Sequence, residues 1–265
     1  MKTQNQKGFT LVELAIVMTI IGLLIGGILK GQELMENARV TSTIAQIRSY
    51  ESATTTFRDT YSAMPGDMAN AATRLPNCDA TCGPNADDGI GDGIVGANGG
   101  IVTAQNTLAN DTDDTADETV LFWTHLLRAD LISGVSDAGI AAGGVVAAGE
   151  SHPAAKIGGI FRAGHGDGSA VGAIGGVTVV SGTALALSSG PVGDLDDDLG
   201  TQAISPLRAA QIDRKMDDGK PATGFVIGYG AVDAADGCMT ANDTSGVYIE
   251  QRQNKDCGMI FRIQG

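Results

Sequence analysis

The chain has few aromatic residues and little positive charge, and both shortages limit what it can be. Aromatic side chains make up 4% of the 265 residues, whereas glycine occurs 38 times. This composition predicts many loops and a thin hydrophobic core. Lys and Arg number 17 against 31 Asp and Glu, which gives a net charge of −14. Such acidity argues against a nucleic-acid backbone as the main ligand, because phosphates need cationic neutralisation.

Patterns that carry catalysis are also missing. None of the three histidines, His125, His152 and His165, has a partner at catalytic or metal-ligand spacing. The Gly-Ser pairs lack the Gly-x-Ser-x-Gly elbow of a hydrolase. We therefore predict that the chain is not an enzyme. We expect the single tryptophan, Trp123, in the core rather than at a ligand platform, and His125 at the surface or half-buried.

One long apolar run dominates what is present. Phe9–Leu29 has 21 residues, and Glu13 is the only charged one. As a helix this run is roughly 32 Å long, enough to cross the hydrocarbon layer of a bilayer. Its Leu, Ile, Val and Phe side chains favour insertion by about 4 to 8 kcal/mol, whereas a central acid costs about 3 kcal/mol. Insertion is favoured, and Glu13 then needs either a partner or a place among the lipid headgroups.

The eight residues before this run predict its orientation. They contain Lys2 and Lys7 and no acid, which marks the cytoplasmic side, so the bulk of the chain lies outside. No small-x-small cleavage site follows Leu29, and there is no lipobox cysteine. The run is therefore either an uncleaved anchor or a signal that is cut before its apolar segment.

The residues Lys7-Gly8-Phe9-Thr10-Leu11-Val12-Glu13-Leu14 resemble the prepilin cleavage and methylation motif of type IV pilins and of type II secretion pseudopilins. The resemblance implies that a prepilin peptidase cuts between Gly8 and Phe9 and that the new amine of Phe9 is methylated. It also implies that Glu13 pairs with such an amine on a neighbouring subunit. Major pilins usually carry proline where Lys30 stands, which points to a minor pilin or a pseudopilin.

Weaker resemblance to bacterial pilin-like proteins continues along the chain, in 61–71, 118–134 and 212–221. No proline interrupts Gly31–Asp59, and apolar or small residues recur there at helical spacing, including Leu34, Ile44 and Phe57. We therefore expect one helix of about 50 residues, apolar at its start and amphipathic at its end. The predicted division is a leader (1–8), a transmembrane or filament-core helix (9–29), an amphipathic spine (30–60) and a globular head (61–265).

Four cysteines predict a disulfide framework in an oxidising compartment. They allow three pairings, of which the local one, Cys78–Cys82 with Cys238–Cys257, is the most economical. No second Cys or His pair has zinc-site spacing. In type IV pilins a similar C-terminal cysteine loop lies on the exposed edge of the head, and the resemblance suggests that position for Cys238–Cys257.

An Asp/Gly run around residues 85–93 can be interpreted in two ways. Asp87, Asp88 and Asp92 can offer oxygen ligands to calcium, and the glycines allow tight turns. The run lacks the spaced acid that ends an EF-hand loop. The alternative to a calcium site is a solvated acidic turn.

These features predict an α+β, pilin-like fold, with the long N-terminal helix packed under a small antiparallel sheet. The expected function is that of a filament subunit whose partners are prepilin peptidase, the inner membrane and other pilin subunits. The head would lie in the periplasm before assembly, and then in an extracellular pilus or a periplasmic pseudopilus. The alternatives are a type II secretion pseudopilin and a monomeric, membrane-anchored, calcium-dependent binding protein.

Overall fold

The structure, a computed structural model, has a long helix and a small antiparallel sheet, so the α+β, pilin-like prediction is confirmed. It describes residues 10–79, 82–83, 90–96, 117–136, 148–166, 168, 170–171, 176–179, 181–189, 200–233 and 235–263. The chain divides into two compact units, here called the N-terminal unit (Met1–Arg39) and the C-terminal unit (Val40–Gly265).

Helix α1 runs without a break over Leu11–Tyr61, as expected for a stretch without proline. Within the C-terminal unit it buries one stripe, at Val40, Thr43, Ile44, Ile47, Tyr50, Ala53, Thr54 and Phe57. Leu34 lies in the N-terminal unit, and its side chain is 61% exposed. The helix ends at Tyr61, and the next residue, Ser62, takes a positive φ of 56° and donates its N–H to the carbonyl oxygen of Arg58.

A four-stranded sheet with the order β1-β4-β6-β5 forms the centre of the C-terminal unit, and all its pairings are antiparallel. Its strands are β1 (Ile160–Gly166), β4 (Gly182–Ser188), β5 (Val226–Tyr229) and β6 (Gly258–Arg262). Two short strands, β2 (Ala170–Val171) and β3 (Val177–Thr178), pair separately. The central pair, β4 and β6, is buried along almost all its length.

Three further helices lie in the C-terminal unit: α2 (Ala71–Arg74), α3 (Glu118–Arg128) and α4 (Pro206–Met216). The Asp117 carboxylate caps α3 by accepting the backbone N–H of Thr119 at 2.8 Å. The pair Ser205-Pro206 predicts an N-cap and a first helical residue, and Ser205 does lie at the N-cap of α4, but its side chain makes no capping hydrogen bond.

An aromatic cluster joins α1, α3 and the sheet. The Tyr50 ring lies edge-on to Trp123, with 5.2 Å between centroids, and edge-on to Phe161 at 5.5 Å. Trp123 and Phe161 are fully buried, so the expectation of a core tryptophan is confirmed. Edge-to-face pairs of this kind stabilise by about 0.5 to 1.5 kcal/mol beyond their burial, which matters in a chain with few aromatic residues.

Two strand predictions needed correction at glycines. The glycine-bounded pattern of Lys156–Arg162 predicts a strand, but the strand begins only at Ile160, because Gly158 and Gly159 both take a positive φ. The pattern of Val177–Leu187 predicts one strand, but the structure has two, β3 and β4, and β4 begins at Gly182, which has a φ of 121°. The pattern of Val247–Glu250 predicts a further strand, but this segment contributes only one bridge, from Tyr248 to Met239.

Candidate functional site

The described chain begins next to the predicted cleavage site. Gly8 and Phe9 lie outside the described residues, and Thr10 is the residue before α1. The Glu13 Oε2 atom accepts the Thr10 backbone N–H at 2.9 Å and the Thr10 hydroxyl at 2.8 Å. In return, the Glu13 backbone N–H donates to the Thr10 hydroxyl oxygen at 3.3 Å. This reciprocal arrangement is a capping box.

The capping box gives Glu13 a second role, which the prepilin motif alone does not predict. Its signature, Ser or Thr followed three residues later by Glu before an apolar run, is nevertheless present in the sequence at Thr10 and Glu13. The cap uses only Oε2, and in the part of the chain that the structure describes Oε1 accepts no hydrogen bond. Both capping residues lie after the Gly8–Phe9 bond, so a cut there leaves the cap intact.

From Leu11 onward the N-terminal unit is a helix with its apolar side chains exposed. Leu11 is 90% exposed and Leu23 is 81% exposed, and the other large apolar side chains up to Leu29 are at least 45% exposed. Among the described residues, α1 is the one helix that is long and apolar enough to cross a membrane, judged by length and composition. Large apolar surfaces of this kind are covered by lipid or by other protein.

The structure contains the two local disulfides, Cys78–Cys82 and Cys238–Cys257. Cys257 immediately precedes β6, and its backbone exchanges hydrogen bonds with Ile204. The second disulfide therefore ties the start of a central strand to the loop that begins at Cys238. Both of its cysteines are fully buried.

The described part of the Asp/Gly run is attached to a buried carboxylate. Asp67 is 2% exposed and accepts the backbone N–H groups of Gly91 and Gly93, the latter at 2.7 Å. Burial raises the pKa of Asp67, and these two hydrogen bonds oppose that shift. The Asp92 carboxylate accepts the Ile94 N–H at 2.8 Å. The other two proposed calcium ligands, Asp87 and Asp88, lie outside the described residues.

A second acidic group lies at the end of α4. Carboxylate oxygens of Asp213, Asp217 and Asp218 lie within 4.8 Å of one another, and each carboxylate already accepts donors from the protein. The partners are Tyr248 hydroxyl and Gly219 N–H for Asp213, Phe225 and Val226 N–H for Asp217, and Lys220 N–H and Thr223 hydroxyl for Asp218. These bonds fix the turn that leads from α4 to β5.

Asp213 is the buried member of that group. Burial raises its pKa to about 7, and the hydrogen bond from Tyr248 opposes the shift. Next to it, Arg214 donates two hydrogen bonds to Glu250, at 2.6 and 2.9 Å. Such a bidentate pair is geometrically specific. Together these contacts join α4 to the segment enclosed by the second disulfide, and no local sequence signal predicts pairs separated by 35 or 36 residues.

His125 is fully buried, so the prediction of a surface or half-buried side chain was wrong. Its Nδ1 accepts the Gly66 N–H at 2.9 Å, and its Nε2 donates to the Cys82 carbonyl oxygen, also at 2.9 Å. Burial lowers the pKa of His125 to about 4, so the ring is neutral at pH 7. A side chain at Gly66 would place its Cβ 2.3 Å from the Glu118 carbonyl oxygen. Glycine is therefore required where this turn meets α3.

Comparison with known proteins identifies the N-terminal segment. Residues 3–29 match the family model of the prokaryotic N-terminal methylation motif. The chain therefore carries the prepilin-type motif of type IV pilins and pseudopilins, and its features are those of a prepilin peptidase substrate. Neither the curated proteins nor the solved structures give a match.

Proposed function

We propose that the chain is a structural subunit of a type IV pilus or a related filament and that it assembles through α1. The match at residues 3–29 is the observation that carries this proposal. A prepilin peptidase would cut between Gly8 and Phe9, and the Phe9 amine would be methylated. Before assembly the subunit lies in the inner membrane with its C-terminal unit in the periplasm. Its partners are copies of itself or other pilin subunits.

The exposed apolar side chains of Leu11–Leu29 support an assembled state. Burying a Leu, Ile or Val side chain contributes roughly 1.5 to 3 kcal/mol relative to leaving it in water. Lipid covers these side chains before assembly, and neighbouring helices cover them in a filament. Because lipid tails are as apolar as leucine, close packing or a polar contact has to favour helix association.

Glu13 supplies that polar contact. Its Oε2 atom caps its own helix, whereas Oε1 is left for a partner outside the described chain. A cationic N-terminal amine on Phe9 of a neighbouring copy has the right charge. An unpaired charge in an apolar bundle is expensive, and a correctly placed pair removes that cost. Glu13 would thus select the alignment in which each amine meets a carboxylate.

A Glu13→Gln substitution separates the two roles of this side chain. Glutamine at this position still completes a capping box, but it cannot form a charge pair. We expect E13Q to remain in the membrane and to lose filament yield by about tenfold or more, the factor that corresponds to about 1.4 kcal/mol. Sheared filaments would be measured against total subunit by immunoblot.

Thr10→Val is the matched control, because it removes the capping hydroxyl and keeps the carboxylate. We expect T10V to assemble at a level close to that of the unaltered chain. Wild-type filament yield from E13Q would contradict the charge-pair proposal. The peptidase step is tested by mass spectrometry of the mature protein, which should begin at methylated Phe9.

The same preparations distinguish the alternatives. Filaments on the cell surface indicate a pilus, whereas assembly confined to the periplasm indicates a secretion pseudopilus. A mature protein that still begins at Met1 and remains monomeric would instead indicate a membrane-anchored binding protein and would overturn the filament proposal.

A further inference from the structure

A cavity of about 630 Å³ lies in the C-terminal unit, between the last turn of α1 and one end of the four-stranded sheet. Its described lining is Arg58, Met64, Gly93, His165, Gly182, Thr183, Arg262 and Ile263. The strand register accounts for this grouping. His165 on β1 lies opposite Thr183 on β4, and Ile263, just after β6, donates its N–H to the Thr183 carbonyl.

The charge of this lining is opposite to that of the whole chain. Two guanidinium groups, from Arg58 and Arg262, line the cavity with an imidazole, and none of its described lining residues is acidic. The chain as a whole has a net charge of −14. Neither arginine forms an ion pair with another described residue. Both are therefore available to an anion from outside the chain.

Two local features leave donors available. The first is Gly182, which has no side chain to pack against Arg262. A Cβ at this position would lie 3.2 Å from the Arg262 Nε atom. Among the described residues, the buried His165 Nδ1 atom has no hydrogen-bond partner. A buried polar atom without a partner costs about 1 to 3 kcal/mol. A ligand that supplied the missing partner would recover part of this cost.

The position of Arg58 alone can be explained without a ligand, by its place at the end of a helix. A cation in the last turn of a helix is stabilised by the helix dipole. That explanation does not apply to Arg262 or His165, which come from β6 and β1. Three strand and helix ends thus bring their donors to one cavity.

We propose that this cavity binds an oxyanion, either a carboxylate or a phosphate group. Guanidinium groups match the geometry of both, and charge-assisted hydrogen bonds are about twice as strong as neutral ones. The anion has two possible sources. One is a free small ion, and the other is an acidic side chain of a second copy of this chain, which has acidic runs such as Asn110–Ala116.

The test uses the full chain in a non-ionic detergent and two probes, inorganic phosphate and a capped peptide with the sequence Asn110–Ala116. Isothermal titration measures each probe at low salt and again with added sodium chloride. We expect saturable binding that weakens with salt. Arg58→Gln and Arg262→Gln should each weaken it by about tenfold or more, the loss expected for one charge-assisted hydrogen bond.

Arg48→Gln is the matched control, because Arg48 is exposed on the same helix and does not line the cavity. It should leave binding within about twofold of the unaltered chain, since a distant surface charge is largely screened. Arg262 is exposed, so R262Q gives a folded variant even if R58Q disturbs α1. Thermal unfolding curves verify folding in each case.

Binding of phosphate that depends on Arg58 or Arg262 supports a free anion as the ligand. Binding of the peptide alone, with the same dependence, supports a second copy. No binding of either probe overturns the proposal, and so does equal weakening by R48Q. The experiment uses the isolated subunit, so its result is independent of whether the chain forms filaments.

Discussion

The Tyr248 hydroxyl donates a 2.9 Å hydrogen bond to the buried carboxylate of Asp213. This contact joins α4 to the segment enclosed by the Cys238–Cys257 disulfide. The pKa of Asp213 is raised to about 7 by burial, so the folded chain favours the protonated carboxyl over a wide pH range. The link between these elements is therefore sensitive to pH.

We predict that the contribution of Asp213 to stability falls as the pH rises. Its pKa in the unfolded chain is near 3.8, so between pH 4 and 7 the folded state binds more protons than the unfolded state. This contribution is complete below pH 4, is lost as the pH rises through about 7, and is on the order of a few kcal/mol. Asp213→Asn should remove this part of the pH dependence, as measured by unfolding midpoints of the full chain in detergent.

The control for D213N is Asp130→Asn. Asp130 is exposed and has a positive φ of 55°, which asparagine also tolerates. This variant should shift the whole pH curve by a constant amount without changing its slope. If D213N shows the slope of the unaltered chain between pH 4 and 7, the proposed titration of Asp213 is wrong.

His125 should act in the opposite direction over an overlapping pH range. Its folded pKa is about 4, against 6.5 in an unfolded chain, so the unfolded state binds more protons between these values. The stability contribution is present above pH 6.5 and is lost as the pH falls towards 4. His125→Phe should flatten this part of the curve.

The same variant should also lower stability at pH 7. Phenylalanine fills the space and can keep the stacking on Phe57, but it leaves the Gly66 N–H and the Cys82 carbonyl without a partner. Each buried unsatisfied group costs about 1 to 3 kcal/mol. Denaturant unfolding at pH 7 measures this loss, and an unchanged midpoint would mean that the two hydrogen bonds contribute nothing.

The two disulfides should differ in their effect on stability. The two cysteines of Cys238–Cys257 are separated by 19 positions in the sequence, and those of Cys78–Cys82 by 4. In the chain-entropy model the longer loop stabilises by roughly 3 kcal/mol, about 1 kcal/mol more than the shorter one. Paired Cys→Ala variants compared by unfolding would show this order. Non-reducing peptide mapping tests the pairing itself, and crossed links would contradict it.

Calcium binding by Asp87, Asp88 and Asp92 stays a prediction. We expect saturable heat on titration of the full chain with millimolar calcium, and its loss in a triple Asp→Asn variant. Asp218→Asn is the control, because that carboxylate belongs to the separate group at the end of α4. The absence of heat would contradict the prediction of a calcium site. Loss of heat in D218N would indicate that calcium binds to the group at the end of α4 instead.

The fold class and the course of α1 could be predicted from the sequence because they depend on local patterns. The spacing of Ile44 and Phe57 and the absence of proline predict the helix. Glycine positions such as Gly182 decide where strands break, and a run of apolar residues does not reveal a positive φ. Strand order depends on pairings between distant segments, which periodicity does not specify.

The functional residues likewise divide into those predicted by a local motif and those that depend on distant contacts. The motif around Gly8, Phe9 and Glu13 and the capping box at Thr10 are contiguous, so they can be read from the sequence. The burial of His125 depends on partners 43 and 59 residues away. No spacing rule brings them together before the fold is known.

The position of the α1 cap has a consequence for the timing of biogenesis. Thr10 and Glu13 cap the first turn of α1, and both come after the bond that the peptidase would cut. Under the proposed function, a cut there would remove Lys2 and Lys7 and expose an amine, and α1 would keep its cap and its length over Leu11–Tyr61. On that proposal, processing would release the subunit for polymerisation without refolding of α1.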